Sequence, residues 1–260
     1  GVYQDSLRAT WPIKRTKNDI GRYYKAGWTP LAELKKTVMA PLGRVSKVLE
    51  YDITRRKSGI LIDGNLGKEE WAGLDRSKSM VVEQYYTGDK KEGPKSYAWL
   101  QYDEKYLYVG VYNEPDPFTE AMPPQHKDFK NPFVEVDIES LMGSHSRGWW
   151  IDDMATGPIY IMTGDSEGRI TVTNKFGMPH QQVKKLEGMI EYKATVLNRE
   201  NIEWTCEMKI PLAEIGINPA NADRLSFNIG TYKRSGFFAW VATGSSFWRL
   251  ENPGFIRFAR

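Results

Sequence analysis

Residues 202–210 alternate between two kinds of side chain without a break. Ile202, Trp204, Cys206, Met208 and Ile210 fall on one side, and Glu203, Thr205, Glu207 and Lys209 on the other. A period of two suits a β-strand with one buried and one hydrated face. Pro211 lacks the backbone N–H that would continue a ladder. Leu212-Ala213-Glu214-Ile215 then has helical spacing, and Gly216 is placed to stop that turn. A strand of this length needs neighbours on its edges and an apolar layer beneath it. The rest of the chain is therefore expected to supply further strands that pack against it.

The sequence repeats such signals. Residues 48–53 alternate after a different opening stretch, and residues 97–102 and 105–112 flank the turn Asp103-Glu104 as a hairpin. In residues 133–139, Val134, Val136 and Ile138 oppose Glu135, Asp137 and Glu139. Further strands are expected at 157–163, 169–174, 190–197, 225–232, 238–243 and 255–260, separated by turns rich in Gly, Asp, Asn and Pro. With almost no long helical pattern between them, this spacing predicts an all-β fold, an antiparallel β-sandwich of immunoglobulin-like or jelly-roll-like type. Residues 1–47 are basic and lack alternation, and Thr29-Pro30 reads as a helix start. They are expected to form a partly helical or irregular N-terminal extension packed on a main domain of residues 48–260. A basic arm for an anionic partner is the alternative, resting on composition alone.

Composition narrows the function. A net charge of +3, evenly spread, does not suggest nucleic acid, and no apolar run is long enough for a transmembrane segment. The chain starts at Gly1-Val2 rather than Met and is read as a trimmed product, secreted, periplasmic or at the cell surface, with its signal removed. The single cysteine, Cys206, lies on the apolar side of its strand and is expected in the core. Aromatic residues reach 13%, with nine Trp and fourteen Tyr. Most are expected in the core, Trp71, Trp99 and Trp204 among them, and a few on a ligand platform. Trp149, Trp150, Trp240 and Trp248 stand near loops, and Trp248, between Ser245-Ser246 and Arg249, is read as facing a ligand. The Pro-rich, charged stretch 113–132 is long for a connection and is a place to look for function. Glu135, Asp137 and Glu139 on one strand face repel one another unless hydrated or neutralised by a cation, an arginine or a hydroxyl-rich ligand.

The order of these pieces carries a resemblance. It runs through Ile62-Asp63-Gly64 to Trp71, Tyr102-Asp103-Glu104-Lys105-Tyr106-Leu107-Tyr108-Val109, Asn113-Glu114-Pro115-Asp116-Pro117 and Val134-Glu135-Val136 to Glu139. It continues with residues 204–216, Phe227-Asn228-Ile229-Gly230 and Trp248-Arg249-Leu250-Glu251-Asn252-Pro253-Gly254. Over residues 48–260 this series resembles the family 9 carbohydrate-binding modules, within the DOMON-like β-sandwich group. The resemblance implies non-catalytic binding of a glycan end or short oligosaccharide in a slot between two aromatic side chains, with structural calcium away from the slot. Trp248 matches one wall. Phe129 stands where the family has Trp at the other, and Glu135 matches a carboxylate that binds sugar hydroxyls. Arg249 and Asn252 lie in the matching C-terminal loop, whereas the family's amide on the strand after Glu135 finds no match in residues 157–163. Such a module commonly accompanies a glycoside-degrading enzyme in polysaccharide utilisation.

The physical logic is independent of the family. A pyranose has apolar C–H faces, which aromatic rings bury, and a rim of hydroxyls, which charged or amide groups satisfy. Three other readings compete. A glycosidase would need a carboxylate pair, but Asp152-Asp153 point to opposite sides of a strand and Glu135/Asp137 lack a placed general acid. A haem-binding DOMON-type cytochrome domain would need axial ligands, for which His126, His145, His180 and Met122 are available. An interaction or scaffold domain would retain the fold with a degenerate sugar site. For calcium, Asp116, Asp152, Asp153 and Asp165 are oxygen donors in loops.

Overall fold

The computed structural model describes residues 49–88, 93–116, 131–139, 159–175, 178–222, 224–243 and 254–259. The expected extension, residues 1–47, lies outside them. In chain order the strands are β1 (Glu50–Arg55), β2 (Met80–Val82), β3 (Gln84–Tyr85), β4 (Ser96–Tyr102), β5 (Tyr106–Asn113), β6 (Phe133–Glu139), β7 (Ile159–Asp165) and β8 (Ile170–Lys175). Helix α1 (His180–Met189) follows, then β9 (Glu191–Asn198), β10 (Glu203–Pro211), β11 (Arg224–Lys233), β12 (Gly236–Ala239) and β13 (Gly254–Phe258).

The strands run in the order β8-β7-β6-β11-β13-β1-β4-β5-β10-β9, folded into two layers that meet at β1. The front layer is β8-β7-β6-β11-β13, with β12 and then β3 beside β11; the back layer is β4-β5-β10-β9, with β2 on β4. Residues 50–53 pair with β13 and residues 54–55 with β4, so one strand changes sheet partway along its length. Both pairings are parallel, which departs from the purely antiparallel sandwich expected; the other ladders are antiparallel.

Alternation determines what lies between the layers. Leu107, Val109 and Val111 of β5 and Trp204, Cys206, Met208 and Ile210 of β10 meet Val134, Val136 and Ile138 of β6 and Phe227 and Ile229 of β11 in one buried core. Cys206 is in that core as expected, and burial raises its thiol to about 12, so it stays protonated at neutral pH. Pro211 ends β10, Leu212–Ile215 forms one 3-10 turn, and Gly216 closes it at φ 73°, where Gly carries no steric penalty. At the hairpin, both Asp103 carboxylate oxygens are used. Oδ1 accepts from the Lys105 and Tyr106 amides, and Oδ2 from the Tyr108 hydroxyl at 2.6 Å.

A second apolar cluster, Ile60, Ile62, Trp71, Trp99 and Tyr108, covers the outer side of the back layer. Its anchor is Glu207, whose side chain leaves β10 on that side. Oε2 accepts from the Asp63 and Gly64 amides, each at 2.8 Å, and Oε1 accepts from Trp71 Nε1 at 2.8 Å. The Thr205 hydroxyl donates to the Gly64 carbonyl. Gly64 sits at φ 90°, and a Cβ there would come within 2.9 Å of the Thr195 hydroxyl. Gly110 is held just as tightly, since a Cβ would lie 2.7 Å from the Trp71 ring. Two motifs far apart in sequence thus meet in one structural joint.

Candidate functional site

The outer side of the front layer is different, because its centre is polar. By register, β6 places Glu135 between Thr163 of β7 and Gly230 of β11, Asp137 between Ile161 and Asn228, and Glu139 beside Ile159. Glu139 accepts a hydrogen bond from Ser226 Oγ at 2.9 Å. Glu135 is half-buried, whereas Asp137 has 0% exposure. Among the described residues, neither carboxylate oxygen of Asp137 has a hydrogen-bond partner. Burial, and then the neighbouring Glu135 charge, push its carboxyl well above the usual range, toward the protonated form.

Asn228 supplies the stripe's amide, from β11 on the other side of β6 and not from the strand after Glu135, where Ile159, Ile161 and Thr163 share that face. It also bonds to the chain beyond β12. Nδ2 donates to the Val241 carbonyl, and Oδ1 accepts from the Val241 amide at 3.1 Å. The Trp240 amide also donates to the Ile229 carbonyl. These bonds explain how the front layer is laid out. β12 covers residues 230–233 of β11 and β13 covers residues 224–227, so the chain leaves after Thr243 and returns at Gly254 beside the middle of β11. The segment so bracketed, 244–253, contains Trp248, Arg249 and Asn252.

The sequence-derived site residues therefore divide. Glu135 lies in the polar stripe, where Asp137 and Glu139 accompany it. Phe129, Trp248, Arg249 and Asn252 lie outside the described residues, as do Trp149 and Trp150. Trp240, read in sequence as a loop tryptophan, is 6% exposed and belongs to the core, its ring filling the space that any side chain at residue 254 would need. Trp71, Trp99 and Trp204 are core residues as expected. His180 is the exposed first residue of α1, and His126, His145 and Met122 are outside the described residues.

Of the four aspartates considered for calcium, Asp152 and Asp153 are outside the described residues. Asp165 closes a turn: its oxygens accept from the Glu167 and Arg169 amides and from the Arg169 guanidinium at 2.7 Å. Asp116 is buried, accepts from the Ser235 amide and hydroxyl at 3.0 and 3.1 Å, and lies in the field of the Lys233 ammonium. Burial draws Lys233 down to about 7, against the opposing charges of Asp116 and Glu114, while its Nζ donates to the Lys95 carbonyl. Calcium needs six or more oxygen ligands and tolerates no cation among them. The surroundings of Asp116 and Asp165 do not fit it, and among the described residues no cluster of three or more acidic, histidine or cysteine side chains could hold a metal ion.

Compared by sequence, the chain matches no family model and no curated protein. Compared by structure, it is similar to a family 9 carbohydrate-binding module from Caldicellulosiruptor kristjanssonii in complex with cellotriose, at 13% identity and a TM-score of 0.55, over 80% of this chain and 93% of that one. The same description in complex with glucose gives 12% and 0.54, over 81% and 95%. A candidate carbohydrate-binding protein from Bacteroides uniformis gives 13% and 0.53, over 82% and 100%. The order of motifs and the layered topology agree: this chain has the β-sandwich fold of the family 9 carbohydrate-binding modules.

Proposed function

We propose that the chain is a non-catalytic carbohydrate-binding domain that holds a glycan end or short oligosaccharide on the outer side of its front layer. In this reading Trp248 and Phe129 bury the faces of a sugar ring, and Glu135, Arg249 and Asn252 satisfy its hydroxyls. The observation that supports it is positional. The segment carrying Trp248, Arg249 and Asn252 leaves and rejoins the front layer beside the stripe that contains Glu135. The solved structures with this fold include modules in complex with cellotriose and glucose. The domain would act outside the cell or at its surface, beside a glycoside-degrading enzyme.

The test is calorimetric titration of the folded protein with glucose, cello-oligosaccharides and a panel of other mono- and disaccharides, with and without calcium. Saturable binding to one sugar class is expected, weakened at least about tenfold in Trp248→Ala, the loss of one stacking surface. A flat response across the panel would remove the reading and leave an interaction domain in its place.

A further inference from the structure

We infer that the outer side of the back layer carries a guanidinium-binding site built from Tyr97, Tyr112, Glu114 and Glu203, which Arg76 occupies in the free chain. The site lies on the other layer from the β6 stripe and does not depend on the carbohydrate reading. Its floor follows from register. Tyr97 of β4 and Tyr112 of β5 stand directly opposite each other, and their half-buried rings lie 6.5 Å apart at 23° between planes. Two carboxylates edge this floor. The Tyr112 hydroxyl donates to Glu203 Oε1 at 2.7 Å, and Glu114 Oε2 accepts from the Lys95 amide at 3.2 Å. Burial, then the Glu203 hydrogen bond, pushes Tyr112 up to about 12, so the ring stays neutral and its hydroxyl stays a donor.

Arg76 shows what such a floor holds. Its guanidinium carbon lies 4.3 Å from the centre of the Tyr97 ring and 5.3 Å from that of Tyr112, and Nη1 donates to Glu114 Oε1 at 3.1 Å. A planar cation can stack on a ring and pair edge-on with a carboxylate at once; a lysine ammonium is a compact, more strongly hydrated charge. Without Arg76, the groups named are two neutral rings and two carboxylates. Arg76 is also a replaceable occupant. Its side chain is 52% exposed, where water competes with both the ion pair and the ring contact. Its backbone is held by other groups. Trp99 Nε1 donates to the Asp75 carbonyl at 3.1 Å, the Tyr51 hydroxyl donates to the Lys78 carbonyl, and Asp75 caps the turn through the Ser77 amide and hydroxyl. The side chain can therefore swing into water while the turn of residues 76–78 stays in place. A guanidinium from outside then takes over the same contacts, and Arg76 sets the affinity that it must exceed.

The experiment titrates the full chain with N-acetylarginine amide, methylguanidinium and N-acetyllysine amide, following the ring resonances of Tyr97 and Tyr112 by NMR. Arg76→Ala is expected to bind the capped arginine about tenfold tighter than wild type, whose own weaker binding keeps the test readable if the variant fails to fold. The lysine probe is expected to bind about threefold or more weaker, and Glu114→Gln added to Arg76→Ala should weaken the capped arginine by about fivefold. Methylguanidinium bound as tightly as the capped arginine marks a small guanidinium ligand, whereas tighter binding of the capped arginine marks an arginine of a partner chain; both uphold the site. No shift of either ring with a guanidinium probe, in wild type and in folded Arg76→Ala, overturns the inference. So does an affinity that is the same with and without Arg76, or the same for the arginine and lysine probes.

Discussion

Asp137 is isosteric with asparagine, which makes it the residue at which charge can be separated from shape. Its pKa in the folded chain is raised above the unfolded value, so its contribution to stability is fully present below about pH 4 and is lost as the pH rises through the folded pKa. Asp137→Asn cannot ionise and escapes that loss. The variant is expected to be more stable than wild type at pH 7, by about 1–2 kcal/mol given the cost of a buried unpaired charge, with the difference shrinking toward zero as the pH falls to about 4. Urea unfolding at several pH values checks this, and a constant difference across the range would show that Asp137 is ionised and paired in solution. Such a gain would mark a position held for something other than stability, as binding sites commonly are.

Between elements, the joint at Glu207 makes the opposite prediction. Burial raises its carboxyl, but the Trp71 indole and the Asp63 and Gly64 amides hold it as an acceptor. Glu207→Ala leaves three buried donors without a partner and should cost about 2–4 kcal/mol, whereas Glu207→Gln keeps one acceptor and should cost roughly half as much. The segment 60–71 should then detach from the back layer, seen as faster hydrogen exchange at Gly64 and a red shift of Trp71 emission. Sugar affinity should be unchanged, because the joint is on the other layer. The elements on each side of this joint differ in how far they can be read from sequence. β10 and the β4–β5 hairpin are legible because their alternation is unbroken and local. β2 and β3 span three and two residues, too few for a period to show. Helix α1 is invisible for a different reason: it buries only Val183 and Leu186 and starts after Pro179 without a side-chain cap. In the site, the alternating carboxylates of β6 are readable, but the clamp of Asn228 on Val241 and the burial of Trp240 under Gly254 depend on contacts that sequence spacing does not encode.

At the scale of the whole molecule, the least readable feature is the one that closes it. β1 and β13 come from opposite ends of the sandwich sequence, and their parallel pairing of Glu50–Ile53 with Phe255–Phe258 is what joins front layer to back. Non-local pairing of this kind is reached late and slowly in folding, because the chain between must first be ordered. Once formed it is deeply set. Ile53 and Ile256 are fully buried, Phe258 packs edge-on against Tyr102 at 4.9 Å between ring centres, and the Tyr102 hydroxyl and the Ala259 amide bond to the Ala259 and Ile53 carbonyls. The Arg257–Asp52 ion pair, at 2.6 and 2.9 Å, lies on the hydrated side of the same pairing and is screened by solvent. Deleting residues 254–260 removes the buried Phe255, Ile256 and Phe258 from the closure. At about 1.5–3 kcal/mol for each side chain, the loss is comparable with the entire stability of an ordinary domain. The truncated chain is expected to show no cooperative thermal transition by circular dichroism, whereas Arg257→Ala in the full chain should melt close to the wild-type midpoint. A truncated protein that still melted sharply at the wild-type temperature would mean that the front layer closes without β13, and that the β1 crossover is an accessory to the sandwich instead of its hinge point.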